Sequence, residues 1–328
     1  MSALHSLRPG YCHDFRALLS FAPMLLFPSP AFLILVAVSL VCGSLSAETP
    51  TQANVAYGRH PKQVLDFYKA DSNQPTALLF FIHGGGWMSG DKAGPDFLAN
   101  CLKSGISMVS INYRLIPEAQ ADGVSPPVKG CLDDCARALQ FVRSKAADWN
   151  IDKTRIGGCG GSAGGFNVLW LAFHPDLANP GSPDPVTRES THLRCAMTFV
   201  PQTSLDPRQM KEWIPNNDYG HHAFLLPKYE DFLAQREKLL PLLNDFSPYA
   251  LVTAQAPPVY LFYDSAPAMG LPAKDPPHSA NFGLGLVEKL RTLGVKFEFN
   301  YPGSKEIKHP DIFAFIQEEL EGGGDAKK

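Results

Sequence analysis

The 328-residue chain lacks an excess of either charge: 29 Lys and Arg stand against 32 Asp and Glu, a formal net charge of −3. Its basic residues are dispersed rather than gathered into a stripe, which argues against nucleic acid as a partner. It is also short of cysteine, with seven in all. Cys131 and Cys135 stand four apart on an expected helix, yet no second Cys or His pair supplies metal-site spacing. Beyond residue 47, Cys101, Cys131, Cys135, Cys159 and Cys195 remain, an odd set that leaves at least one free thiol. The favoured reading makes them small buried hydrophobes, with one disulfide open to an oxidising compartment. The glycine-rich stretches lack acidic neighbours that would hold a metal, so neither metal nor cofactor is expected. They also lack a following Gly-Lys-Ser/Thr and the glycine spacing of a dinucleotide fingerprint, which sets aside phosphate cradling.

Long apolar runs are confined to the start. Residues 1–47 carry only Arg8 and Arg16 as basic groups, then an apolar run over 31–41 and the small residues Gly43, Ser44, Ser46 and Ala47. This pattern predicts an export signal cut after Ala47 and a secreted or periplasmic protein. The competing reading is a retained anchor, the one route to a membrane, although Pro28 and Pro30 leave the span short. Residues 48–328 then read as a single domain.

What the chain does have is a run of small residues, Gly157-Gly158-Cys159-Gly160-Gly161-Ser162-Ala163-Gly164-Gly165, between a β-prone stretch and an apolar helical one. Gly160-x-Ser162-x-Gly164 has the spacing of a nucleophile elbow, the sharp strand-to-helix turn that lifts a serine clear of its sheet. Upstream, the apolar run 77–82 suits a strand buried on both faces. It ends in His83-Gly84-Gly85-Gly86-Trp87, where consecutive glycines free backbone N–H groups to face a developing oxyanion.

Further strands are expected at 64–68, 107–112, 193–200, 259–263 and 295–301, and helices at 128–147, 278–293 and 311–320. Residues 48–60 read as an irregular lead-in. The alternation of strand and helix predicts a mostly parallel sheet with right-handed crossovers. Residues 202–255 break that rhythm and predict an insertion, either a cap or substrate wall or a surface helix.

A serine hydroxyl needs a base held by a carboxylate. His309, on the loop after the last core strand, is the favoured base; His278, at the expected start of a helix, is the second choice. His174, His192, His221 and His222 read as surface or substrate-contact residues. Asp91, Lys92, Arg114, Glu118, Asp133 and Asp134 read as structural ties.

Together with the Asn112-Tyr113-Arg114-Leu115 turn and Tyr301-Pro302-Gly303, these motifs make the chain similar to the α/β-hydrolase superfamily. The resemblance is strongest to its hormone-sensitive-lipase-like and bacterial feruloyl- or acetylxylan-esterase-like branches. It implies an α/β-hydrolase fold with helices on both faces of the sheet and a cap-like insertion. It further implies that Ser162 is the nucleophile, that Gly85, Gly86 and Ala163 N–H groups form the oxyanion hole, and that Gly84 and Trp87 line the acyl side. The implied activity is hydrolysis of a small-molecule or carbohydrate ester. An arylformamidase- or peptidase-like amide hydrolase is the alternative enzyme, and an impaired hydrolase fold serving as a binding protein is the alternative class. One position departs from the family: where its acid is usually found, this chain has Ala266. Asp275 and Asp264 remain as candidate acids, with Asp275 favoured because its longer loop reaches back toward the base.

Overall fold

A computed structural model describes residues 48–305 and 307–321. The expected export signal, the alternative anchor and the tail beyond 321 lie outside the described residues.

Eight strands form one sheet in the order β1-β2-β4-β3-β5-β6-β7-β8. They are β1 (Gln52–Ala56), β2 (Val64–Tyr68), β3 (Thr76–Ile82), β4 (Ser107–Ile111), β5 (Ile151–Gly161), β6 (Ala196–Phe199), β7 (Val259–Phe262) and β8 (Phe297–Asn300). β1 and β2 pair antiparallel, as do β2 and β4, while every pair from β4 through β3 to β8 is parallel. The central strand shows why the sheet holds. All seven residues of β3 are buried. Its Leu78, Phe80 and Ile82 face one apolar layer, while Ala77, Leu79 and Phe81 face the other. Each fully buried side chain of this size contributes about 1.5–3 kcal/mol.

The helices Val128–Ser144 and Ala163–Phe173 cover the first face, and Ile312–Glu321 covers the second. The lead-in expected at 48–60 departs from the reading, because it contains β1. That strand is a mostly exposed edge whose polar side chains carry no inward pattern, and it pairs with β2 through a bulge. All five cysteines of the described residues are free and buried. Burial pushes the Cys101 thiol up to about 12, which fits small hydrophobes rather than reactive thiols.

Of the polar groups near the motifs, Asp91, Lys92, Arg114 and Asp134 are ties, whereas Asp133 pairs with the exposed Lys129 on its own helix and Glu118 Oε2 has no hydrogen-bond partner among the described residues. Arg114 grips both oxygens of Asp134 at 2.9 and 2.7 Å, and Gln63 donates to the same carboxylate at 2.7 Å. Lys92 pairs with Asp66 at 2.8 Å, and Asn112 donates to Asp91 at 2.8 Å. These bonds fix the loops that leave the ends of β3 and β4.

Candidate active site

Ser162 stands between β5 and its helix, at φ 52 and ψ −124. A non-glycine residue held there costs of order 1–3 kcal/mol, so the surroundings must enforce the turn. They do so by close approach. A Cβ on Gly164 would lie 2.1 Å from the Ile82 carbonyl oxygen, and one on Gly160 would lie 2.6 Å from the same atom. Only hydrogen fits at those two positions. The Ser162 N–H donates to the Phe199 carbonyl at 2.8 Å, which pins the turn to the end of β6.

The Ser162 hydroxyl lies 2.9 Å from His278 Nε2, and His278 Nδ1 lies 2.8 Å from Asp275 Oδ2. With the carboxylate on Nδ1, that nitrogen carries the proton and Nε2 presents its lone pair to the hydroxyl. Asp275 and His278 sit three residues apart on one 3-10 turn, Pro276–His278, closed by the His278 N–H on the Asp275 carbonyl at 3.2 Å. Two successive prolines pre-set φ for this turn. The expected helix begins later, at Asn281.

His309 therefore does not occupy the position expected of it. Its ring is buried at 6% exposure beside the sheet edge, with Nδ1 bonded to Glu298 and Nε2 2.9 Å from Glu318. The loop after β7, which carries Asp275 and His278, is the one that reaches Ser162. Of the two candidate acids, Asp275 meets His278. Asp264 is exposed and lines, together with Asp275 and His278, a cleft of about 590 Å³, without bonding the imidazole.

The loop after β3 keeps three successive residues in the left-handed region: Gly85 at φ 102, Gly86 at φ 61 and Trp87 at φ 59. A Cβ on Gly85 would meet the Ser89 carbonyl oxygen at 2.2 Å. The Gly85 carbonyl accepts from Met88 and Ser89 N–H at 2.9 and 3.1 Å, and the Trp87 carbonyl from Ile116 N–H at 2.8 Å. Among the described residues, the N–H groups of Gly85, Gly86 and Ala163 donate to no backbone acceptor. They are the three groups that the resemblance assigns to an oxyanion hole.

Trp87 departs from its expected place on the acyl side. Its side chain is fully buried, donates from Nε1 to Asn167 at 2.9 Å and packs edge-on against Phe166 at 5.2 Å. It anchors the loop instead of offering a substrate surface. Gly84 serves close approach, since its Cβ would lie 2.8 Å from the Gly161 carbonyl oxygen. Asn167 is a residue the motifs did not single out. Its signal was present as the one amide side chain in the helix sequence AGGFNVLWLAF.

The insertion folds as the helices Pro207–Trp213, Tyr229–Ala234, Arg236–Phe246 and Pro248–Leu251 with a 3-10 turn at His221–Phe224. It grips both loops. His222 Nε2 lies 3.0 Å from the Gly86 carbonyl, and burial lowers the pKa of that imidazole, favouring the neutral ring that donates there. Asn216 bonds both the N–H and the carbonyl of Ala273 at 2.9 and 2.8 Å, and Asn281 donates to the Trp213 carbonyl at 2.7 Å. His222, expected at the surface or against substrate, thus ties the insertion to the glycine loop.

A mostly parallel sheet with a serine on the turn after β5, an opposing glycine loop after β3 and a histidine–carboxylate pair beyond β7 defines the α/β-hydrolase fold. The chain belongs to the BD-FAE family, whose model matches residues 65–268. That span contains the glycine loop and Ser162 and ends before Asp275 and His278.

Among curated proteins, the chain is 25% identical over 276 residues to the probable isoprenylcysteine alpha-carbonyl methylesterase ICMEL1 of Arabidopsis thaliana, covering 83% of this chain and 53% of that one. It is 34% identical over 136 residues to the carboxylic ester hydrolase LipN of Mycobacterium tuberculosis, covering 40% and 34%. The chain thus spans between a third and about half of these relatives' lengths. Among solved structures, it resembles the acetyl ester-xyloside bifunctional hydrolase of Caldicellulosiruptor lactoaceticus with TM-score 0.55 and 24% identity, covering 73% and 76%. It also resembles the thermophilic esterase Est2 of Thermogutta terrifontis with TM-score 0.55 and 23% identity, covering 81% and 88%. The likeness to both is one of fold.

Proposed function

We propose that the protein hydrolyses carboxylic esters through an acyl-enzyme on Ser162. The observation that carries this reading is the continuous relay from the Ser162 hydroxyl to His278 at 2.9 Å and from His278 to Asp275 at 2.8 Å. In the first half-reaction, His278 Nε2 takes the hydroxyl proton as Oγ attacks the ester carbonyl carbon. The N–H groups of Gly85, Gly86 and Ala163 hold the oxyanion, and the imidazolium returns its proton to the departing alcohol. Water then attacks the acyl-enzyme by the same route, with His278 again the base and Ser162 the leaving group. Asp275 holds the imidazole in one tautomer and stabilises its charged form.

The substrate we propose is an ester of a small acyl group, acetyl or feruloyl, on a carbohydrate alcohol. The ester hydrolases among the relatives and an acetyl ester-xyloside hydrolase among the structural neighbours support this class. Residues 48–328 constitute the working domain in this reading. The basic start, apolar run and small residues of 1–47 support export.

The test is turnover of p-nitrophenyl esters of increasing acyl length, followed by acetylated xylan oligomers and methyl ferulate. Ser162-dependent turnover that is greatest for short acyl groups is expected. Turnover that survives Ser162→Ala, or none across all esters, overturns the reading. N-terminal sequencing of the exported protein checks the cut after Ala47.

A further inference from the structure

We infer that Gln202 is a positioning residue for His278, an inference that rests on the serine-hydrolase reading above. Gln202 lies just past the end of β6 and is fully buried. Its side-chain amide donates to the carbonyl of Pro277, the residue immediately before His278. The turn is closed by long backbone bonds, His278 N–H on the Asp275 carbonyl at 3.2 Å and Ser279 N–H on the Pro276 carbonyl at 3.3 Å. The Asp275 side chain is 65% exposed and that of His278 32%, so water competes for the bond between them. The Gln202 bond holds the same turn from its inner side, where the donor side chain is fully buried.

The mount of Gln202 is rigid. Val200 N–H donates to the Phe262 carbonyl at 2.7 Å, and the Tyr263 hydroxyl donates to the Pro201 carbonyl at 2.7 Å. On the other side, the Thr203 hydroxyl donates to the Phe282 carbonyl at 2.8 Å and its carbonyl accepts from Tyr249 N–H at 2.8 Å. A second observation separates positioning from mere packing. The Gln202 Oε1 atom is buried without a hydrogen-bond partner among the described residues. The side chain's one hydrogen bond among the described residues is therefore the one its amide nitrogen gives to Pro277. The amide is explained by its donor, and the donor reaches the histidine's own turn.

The experiment compares wild type with Gln202→Met, which keeps the length, removes the donor and relieves the dry acceptor. A phosphonate titrant counts competent sites and p-nitrophenyl acetate gives kcat and KM. Displacing a general base by even 1 Å lowers turnover by about 10²-fold, so kcat is expected to fall by about that factor while KM and the melting temperature hold. Gln202→Asn keeps a buried amide but falls a methylene short of Pro277; it carries the same expectation and serves if the methionine variant does not fold. Ser162→Ala and His278→Ala run in parallel. If both are inactive while the Gln202 variants keep wild-type kcat, or lose activity only in proportion to titrated sites, the Gln202 inference is overturned and the esterase reading stands. If Ser162→Ala retains activity, the esterase reading falls and takes this inference with it.

Discussion

His278 and His309 carry similar first contacts and do opposite things. Each places Nδ1 on a carboxylate, Asp275 for one and Glu298 for the other. The difference lies at Nε2, which meets the Ser162 hydroxyl in His278 and the Glu318 carboxylate in His309. Both ring nitrogens of His309 are taken up by carboxylates, whereas Nε2 of His278 faces the hydroxyl. His309 is accordingly a clasp joining β8 to the helix Ile312–Glu321, and His278 is the group poised to act as a base.

Substitutions at the two sites should separate activity from stability. The largest effect is expected at Ser162 and His278, where replacement by alanine should lower kcat by about 10⁶-fold with the fold intact; steady-state kinetics with matched circular dichroism checks this. Asp275→Asn should come next, at about 10⁴-fold in kcat through the wrong imidazole tautomer. Asp264→Asn should match wild type in the same assay, and equal rates for the two variants would remove Asp275 from its role. His309→Ala should reverse the pattern, costing up to about 3 kcal/mol in urea denaturation, because the buried Glu298 carboxylate loses its imidazole partner and keeps only the backbone N–H groups of residues 308 and 309. Its kcat should stay at the wild-type level, and a collapse of kcat in folded protein would return His309 to the catalytic machinery.

The smallest effect concerns acid pH. Bonds from Lys308 and then His309 hold the Glu318 carboxyl down to about 2, from an ordinary value of 4.5. Because the folded-state value is depressed, this contribution is fully present above about 4.5 and is lost as pH falls toward 2. Denaturation curves for wild type and Glu318→Gln should therefore differ at pH 6 and converge near pH 2, whereas a constant gap would contradict the assignment.

Much of this was legible because local chemistry leaves local marks. Glycines at 160 and 164 around a serine require a tight turn, and their close approach to Ile82 is the reason for them. The strands β2, β3, β4 and β7 announce themselves by apolar runs of the right length. β1 did not, because an exposed edge strand buries almost nothing and needs no pattern. Trp87 read as a substrate wall because it follows the glycine loop, but whether a side chain turns inward depends on Asn167, a residue 80 positions away.

By itself, the amino-acid sequence determined the class of fold, the candidate nucleophile, the glycine loop and two candidate acids, since each is a matter of residue type and short spacing. Which histidine faces Ser162 was decided only in three dimensions. It is the loop after β7, not the end of β8, that brings a histidine to the elbow. The turn Pro276–His278 then sets acid and base side by side, while Glu298 and Glu318 occupy both nitrogens of His309. Spacing along the chain constrains neighbours within a turn; partners more than a hundred residues apart, as Ser162 and His278 are, are chosen by the sheet that carries them.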